Sequence, residues 1–229
     1  DSDCIVDKEW LNELVKCFEI SDKVAGVGGE QLSPYDETKF GQIVNNFMHS
    51  VGIIEYVKDT KKIVFTQHNP TCNSIYKKEI FEQLGGFKEG LWPGEDVEFD
   101  YRVTKAGYKL LFNPKAIVYH YRPQDIKKFI KMMYNYGKVQ GMLVRMYGFF
   151  RKIHYVPIVL LLSLILLLVL TTFNYKISFS IILFCFTLIL FYLFLKIKYF
   201  VEWLNFFVLF FLTIFFWNIG FVVGIIRKK

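Results

Sequence analysis

The chain has 229 residues, of which 53% are hydrophobic and 19% aromatic, and its formal net charge is +7. A basic excess fits either a nucleic acid or an anionic membrane surface as a partner. The Lys and Arg residues crowd between Lys127 and Lys152, directly before an apolar half, so we expect membrane lipid and no nucleic acid. The four cysteines form no C-x-x-C pair, which speaks against a disulfide framework or a zinc site and favours a reducing, cytosol-facing domain.

Helical and strand patterns alternate up to residue 124, which predicts an α/β domain over residues 1–124. Amphipathic spacing predicts helices over Trp10–Phe18, Phe40–Val51 and Lys77–Leu84. Short apolar runs predict strands at Lys23–Gly28, Lys62–Thr66, Lys109–Phe112 and Ala116–His120, the last two joined across Asn113-Pro114.

The stretch Trp92-Pro93-Gly94 predicts a tight turn, after which a helix begins at Glu95-Asp96 and ends before Gly107. Two carboxylates therefore lie on the first helical turn, where unpaired backbone N–H groups stabilise negative charge. A carboxylate in such a place can accept a proton from a substrate hydroxyl. The alternative is that the two acids only complement the helix dipole.

Residues 125–154 combine an apolar side with many Lys and Arg residues, and glycines interrupt them at Gly137, Gly141 and Gly148. We expect two helices lying on a bilayer, with their charged groups at headgroup level. For the first half of this segment, an ordinary amphipathic helix on the soluble domain is the alternative.

Residues 155–229 are predicted to be a membrane region, with spans at about 156–173, 177–195 and 200–226. Basic residues that flank these three runs are balanced between the two sides, so the positive-inside rule does not fix the orientation. Either the C-terminus lies outside the cell or one run is a re-entrant hairpin. We favour three spans.

The opening triplet Asp1-Ser2-Asp3 has the carboxylate spacing that holds a hard divalent cation against a diphosphate. Such triplets are common, and the triplet alone is a weak signal. Together with Val27-Gly28-Gly29, Glu95-Asp96 and His120 the set becomes specific. With these motifs the chain resembles the C-terminal half of family 2 glycosyltransferases with the GT-A fold.

The resemblance covers residues 1–123, in order and with gaps typical of the family. The matching segments are Asp1–Asp3, Val24–Gly29, Cys72–Phe81, Leu84–Phe87, Gly94–Asp96, Ala106–Lys109 and Pro114–His120. The resemblance implies a partial GT-A (Rossmann-like) domain whose nucleotide-binding half would precede Asp1. We therefore expect a fragment that is inactive alone, in which the strands at Lys23–Gly28 and Lys62–Thr66 lack partners.

The family's site residues map onto this sequence one by one. Asp1 and Asp3 match the pair that holds a metal ion, Mg²⁺ or Mn²⁺, and the diphosphate of the nucleotide-sugar donor. Asp96 matches the base that deprotonates the acceptor hydroxyl, and Glu95 beside it is expected to orient the acceptor. His120 matches a histidine that completes the metal shell, the alternative being a strand-end histidine satisfied by its neighbours. Arg102 is expected to be structural.

The resemblance implies a membrane-bound glycosyltransferase of the hexosyltransferase type, with its catalytic domain facing the cytoplasm and a lipid-linked or exported glycan as acceptor. Inversion needs one catalytic carboxylate, whereas retention by double displacement needs two, so we expect inversion. The Gln-x-x-Arg-Trp motif of processive members is absent, which favours single additions.

Two other classes of protein fit parts of the sequence. One is an inactive glycosyltransferase-like membrane scaffold, which intact acidic motifs disfavour. The other is a transporter subunit with a cytosolic domain, which is disfavoured because the apolar runs carry almost no ionisable residue besides Glu202.

Overall fold

The computed structural model describes residues 3–51, 61–196 and 200–227. The chain divides into two compact units, residues 1–126 and residues 127–229. The first unit is mixed α/β and the second is helical in its described part. The mixed α/β class that the sequence predicts for the first unit is therefore confirmed.

One curled sheet organises the first unit. Its strands are β1 (Cys4–Val6), β2 (Val24–Leu32), β3 (Val64–Thr66), β4 (Ser74–Tyr76) and β5 (Lys109–His120). The order across the sheet is β1–β5–β2–β4, and β3 also pairs with β5. Strands β2 and β5 run parallel, whereas the other pairs are antiparallel.

Strand β2 has hydrogen-bonded neighbours on both sides, and β3 pairs with β5, so the expectation that these two strands lack partners is wrong. The glycines of β2 make this central position possible. A Cβ atom at Gly28 would collide with the side chain of Asn69, and one at Gly29 would collide with the backbone of Ala116. Sequence patterns locate a strand but do not assign its neighbours, which here come from residues more than 40 positions away.

Strand β5 is continuous where the sequence predicts two strands. Its pairing with β2 shifts register so that Gly29 pairs with Asn113 while the next residue, Glu30, pairs with Ile117. Pro114 lies inside this irregularity, where the ladder needs no N–H donor. The proline therefore bends one strand rather than separating two.

Four helices accompany the sheet in the described part of the first unit: α1 (Trp10–Val15), α2 (Lys39–Ser50), α3 (Lys78–Gln83) and α4 (Glu95–Lys105). The predicted bounds of α4 are confirmed. Gly107 adopts φ +89°, and the N–H of Tyr108 bonds to the carbonyl of Val103, which closes the last turn as a Schellman motif.

The two faces of the sheet carry separate apolar clusters. The cluster on one face contains Leu14, Cys17, Val24, Val27, Leu111 and Ala116, and the cluster on the other contains Ala25, Phe99, Val103 and Leu110. Helix α1 thus covers one face and α4 the other. Since α4 is fixed by this packing, its first turn has a defined place at the edge of the sheet.

The described part of the second unit contains α5 (Ile126–Tyr147), α6 (Val156–Phe173), α7 (Tyr175–Lys196) and α8 (Phe200–Ile226). Two helical stretches are long and apolar enough to cross a membrane, Lys152–Phe173 and Trp203–Ile226. A shorter apolar stretch, Tyr175–Leu188, lies between them in the sequence. The count of three spans and the partial GT-A assignment stay predictions.

Helix α5 runs without interruption through Gly137 and Gly141, where the sequence predicts a break between two helices. The reason is that these glycines face α8. A Cβ atom at Gly137 or Gly141 would collide with the carbonyl of Trp217 or Phe221, and Gly220 and Gly224 approach the α5 backbone in return. Two G-x-x-x-G segments thus pack against each other, a pattern known from helix pairs in membranes.

Candidate active site

Asp3 and His120 meet at one end of the sheet. Asp3 directly precedes β1, and its neighbour Cys4 is the register partner of His120, the last residue of β5. The Nε2 atom of His120 lies 3.6 Å from Oδ2 of Asp3. The structure therefore brings Asp3 and His120 together, their role as cation ligands stays a prediction, and Asp1 lies outside the described residues.

The surroundings of His120 favour its neutral imidazole over the charged form. Burial lowers the pKa of His120, and the positive charge of Arg122, whose Nη1 lies 3.3 Å from Nδ1, lowers this pKa further. Arg122 itself is held by Asn45 and by Glu37, which accepts the Arg122 backbone N–H. A neutral imidazole is the form that binds metal ions.

Two cysteines join this end of the sheet. The thiol sulfurs of Cys4 and Cys72 and a ring nitrogen of His120 all lie within 4.8 Å of one another. A hydrogen bond with Cys72 lowers the pKa of the Cys4 thiol, while the same bond and burial raise the pKa of Cys72. Sequence analysis missed this pair, because the spacing rule for metal-binding cysteines detects only pairs close in the sequence.

Asp96 lies beside the segment that carries Cys72. Its Oδ2 accepts the backbone N–H of Thr71 at 3.2 Å, and its Oδ1 accepts that of Val97 at 2.7 Å. Glu95 bends back to accept the N–H of Gly94 at 2.9 Å. Asp96 therefore connects the start of α4 to the same short segment whose cysteine approaches Cys4 and His120.

The loop before β4 is anchored on a buried carboxylate, Asp100. Its Oδ2 accepts the N–H of Asn69 at 2.7 Å and lies 2.7 Å from Nδ1 of His68, and its Oδ1 accepts the hydroxyl of Tyr76 at 2.7 Å. Burial raises the pKa of Asp100 in spite of these bonds. Sequence analysis missed this residue, although its i, i+4 spacing from Asp96 places both acids on one face of α4.

Arg102 has the structural role that the sequence predicts, because its contacts hold α4 in place. The guanidinium of Arg102 forks onto the fully buried carboxylate of Glu98, with N–O distances of 2.7 to 3.0 Å, and also donates to the carbonyls of Leu84 and Gly86. Lys88 adds a second cation at 3.1 Å from Glu98. This cluster ties α4 to the turn after α3.

Glu30 is a further carboxyl group that sequence analysis missed. Burial raises its pKa to about 7, and within the described part of the chain its Oε1 atom has no hydrogen-bond partner. The Glu30 backbone carbonyl accepts the side-chain amide of Asn73, one residue after Cys72. The backbone of Glu30 is therefore tied to the segment that carries Cys72.

The sequence model of glycosyl transferase family group 2 matches residues 1–219. The chain belongs to this family. The match confirms the resemblance, and it extends from the residues around Asp3 through both units of the structure.

Three individual members of the family are similar to part of this chain, at about one third identity or less. A glucuronosyltransferase of Methanococcus voltae, named for a dolichyl N-acetylglucosaminyl phosphate substrate, is 28% identical over 157 residues, which make up 65% of this chain and 46% of the relative. The O-antigen chain rhamnosyltransferase WbaN of Salmonella anatum is 32% identical over 116 residues, 49% of this chain and 36% of the relative. RfbN of Salmonella typhimurium, also an O-antigen chain rhamnosyltransferase, is 29% identical over 127 residues, 53% of this chain and 40% of the relative. The chain thus spans less than half the length of these relatives.

Proposed function

We propose that the intact protein is a membrane-bound, inverting glycosyltransferase that moves a sugar from a nucleotide-sugar donor to a lipid-linked or exported glycan. The observation that carries the proposal is the position of Asp96. Its carboxylate opens α4 and is bonded to Thr71, next to the residue that approaches His120. A proton acceptor and a group of cation ligands thus lie on either side of one short segment.

The proposed reaction is one displacement at the anomeric carbon. The acceptor oxygen forms a bond to that carbon, the bond from the carbon to the diphosphate oxygen breaks, and the proton of the acceptor hydroxyl passes to Asp96. Two fixed N–H donors orient this carboxylate while each oxygen keeps a further lone pair. Glu95, which is turned towards Gly94, is proposed to shape the acceptor side rather than to take the proton.

Asp3 and His120, together with Asp1, are the residues that would hold a divalent cation. Their carboxylate and imidazole donors fit Mn²⁺ better than Mg²⁺, because Mg²⁺ prefers oxygen ligands alone. When bound, such a cation neutralises the charge that develops on the leaving diphosphate. The protein's part is to favour the neutral His120 imidazole by burial and to hold Asp3 beside it.

The acceptor class and the membrane location rest on the relatives and on the apolar helices. The relatives are named for a dolichyl-linked substrate and for O-antigen chains. The second unit carries two stretches suited to span a membrane. We propose that these anchor the protein in the cell membrane with its catalytic part facing the cytoplasm, where nucleotide sugars are made.

The test is a transfer assay with radiolabelled nucleotide sugars on membranes that contain the intact protein. The donor panel should include a deoxyhexose, since two relatives are rhamnosyltransferases by name. Asp96→Asn should lower kcat by about 10²-fold or more, the usual contribution of a general base, with little change in donor binding.

Glu79→Gln is the matched control, because Glu79 is also an acid in a first helical turn but is exposed in α3. This variant should retain the parent kcat. Near-normal turnover of Asp96→Asn would remove Asp96 from the role of base and favour the helix-dipole explanation.

A further inference from the structure

The end of the sheet holds a sulfur-rich group of side chains that the proposed transfer reaction does not use. Cys4 and Cys72 are separated by 67 intervening residues, yet their sulfurs and a His120 nitrogen lie within 4.8 Å of one another. Asp3 adds a carboxylate at the solvent side, with Oδ1 3.7 Å from the Cys4 sulfur and Oδ2 3.6 Å from Nε2 of His120. Four potential ligands thus converge from three segments of the chain.

The backbone fixes each of these segments independently. Cys4 and His120 are direct partners in the antiparallel pairing of β1 with β5. Cys72 lies in a helical turn between Thr71, which is bonded to Asp96, and Asn73. The amide of Asn73 is buried and donates to the carbonyls of Glu30 and Ala116, while its oxygen accepts the indole N–H of Trp10. The convergence therefore belongs to the fold and does not depend on one flexible side chain.

The chemistry of the group selects a particular class of cation. Two thiols, an imidazole and a carboxylate are borderline to soft donors, which favour Zn²⁺ over Mg²⁺ or Ca²⁺. In a tetrahedral site with Zn–S bonds of about 2.3 Å, neighbouring ligand atoms are about 3.8 Å apart. The ligand atoms of Cys4, Cys72 and His120 lie within 4.8 Å of one another, which exceeds that value by only about one ångström, and side-chain rotation can supply the difference.

We propose that Cys4, Cys72 and His120, with Asp3 as the fourth ligand, form a binding site for a thiophilic divalent cation such as Zn²⁺. The site shares Asp3 and His120 with the cation of the proposed transferase reaction, and this part of the inference rests on that proposed function. Zn²⁺ bound through the two sulfurs would occupy both shared ligands. It would therefore compete with the catalytic cation and inhibit transfer.

The first experiment measures the sulfur ligands directly, without an activity assay. The intact protein in detergent, metal-free and kept reduced with a phosphine, is titrated with Co²⁺ as a spectroscopic substitute for Zn²⁺. A thiolate-to-cobalt charge-transfer absorption should grow to about one Co²⁺ per chain and disappear when Zn²⁺ is added. Binding of Co²⁺ without this absorption would overturn the proposal.

Cys4→Ser and Cys72→Ser should each lower the absorption per bound Co²⁺ by about half, because one of two thiolates is removed, and should weaken Zn²⁺ binding by at least about tenfold, since loss of even an outer partner of a metal site costs that much. Cys185→Ser is the matched control, because it removes a thiol from the exposed surface of α7 and should leave the titration unchanged. An unchanged absorption in both site variants would contradict the assignment.

A second measurement uses the unmodified protein and so does not depend on the variants folding. Zn²⁺ should slow the alkylation of Cys4 and Cys72, followed by mass spectrometry, whereas Mg²⁺ should not. Equal alkylation rates with and without Zn²⁺ would overturn the proposal. Neither measurement involves sugar transfer, so failure of this site and failure of the proposed transferase activity are distinguishable.

Discussion

At the scale of single residues, the burial of Glu30 makes the stability of the folded protein depend on pH. The folded protein raises its pKa from the ordinary 4.5 to about 7 because burial disfavours the charged form. Between these two values the folded state binds more protons than the unfolded state, so Glu30 makes stability fall as pH rises from about 4.5 to 7 and remain lower above. The penalty above pH 7 is about 1 kcal/mol, because the group is only partly buried and water screens part of the effect.

Glu30→Gln should remove this penalty while keeping the size of the side chain. We expect a higher Tm than that of the parent at pH 8 and a difference that shrinks towards zero at pH 5, measured by thermal unfolding of the detergent-solubilised protein. Glu89→Gln, a change at an exposed acid in the same unit, is the control and should give no pH-dependent difference. A constant difference between pH 5 and 8 would show that Glu30 does not titrate as described.

The proposed cation ligands give a second prediction at the residue scale. EDTA should abolish sugar transfer by the intact protein, and Mn²⁺ should restore it better than Mg²⁺ because an imidazole is among the donors. Asp3→Ala should be more damaging than His120→Ala, since the carboxylate supplies the charge that holds the cation. The measurement is the Mn²⁺ concentration that gives half-maximal transfer in each variant. Full transfer in EDTA would contradict a cation requirement.

At the scale of elements, the pairing of α5 with α8 depends on four glycines rather than on large side chains. A Cβ atom at Gly220 would collide with the carbonyl of Tyr134, and one at Gly224 with that of Lys138. Such approach lets the flat helix surfaces contact along their backbones and leaves no space for a larger residue. The stacked rings of Trp217 and Phe221, 5.3 Å apart, lie on the same stretch of α8.

Gly220→Leu should therefore push the two helices apart and destabilise the second unit by about 1–3 kcal/mol, the usual cost of overpacking. We expect a lower Tm and faster proteolysis within α5 in detergent. Val222→Leu, which enlarges an exposed side chain two positions further along α8, should change neither measurement. Equal behaviour of the two variants would contradict the close helix contact.

The same scale shows what the sequence could and could not predict. The bounds of α4 were predictable from local sequence signals, which are the acids Glu95 and Asp96 at its start and Gly107 after its end. Gly107 adopts the positive φ that such a glycine allows. The partners of β2 and the meeting of Cys4 with Cys72 were not, because they depend on which distant segments the sheet brings together. Asp100 is buried and bonded to residues 24 to 32 positions away, so no local pattern revealed its role. The glycines of α5 were misinterpreted as helix breaks because their partner helix lies more than 70 residues further along the chain.

At the scale of the whole molecule, the number of membrane crossings decides on which side of the membrane each end of an apolar helix lies. Only Asn174 separates α6 from α7, so a chain that crosses the membrane in α6 must turn at once. The side chains described along α6 and along α7 up to Leu188 are largely exposed and apolar, which suits lipid rather than water. We therefore predict that α7 returns through the bilayer, although the apolar stretch found within it, Tyr175–Leu188, is shorter than a full span.

Single cysteines introduced at exposed positions test this path with a membrane-impermeant thiol reagent, after subtraction of the labelling of the parent protein. With three spans and a cytoplasmic catalytic part, Lys176→Cys and Arg227→Cys should react in intact cells, because both follow an odd number of crossings. Tyr35→Cys, at a side chain that is 96% exposed in the first unit, should react only after the cells are permeabilised. Reaction of Lys176→Cys but not of Arg227→Cys would indicate two spans, and reaction of Tyr35→Cys in intact cells would place the proposed catalytic residues outside, away from the supply of nucleotide sugars.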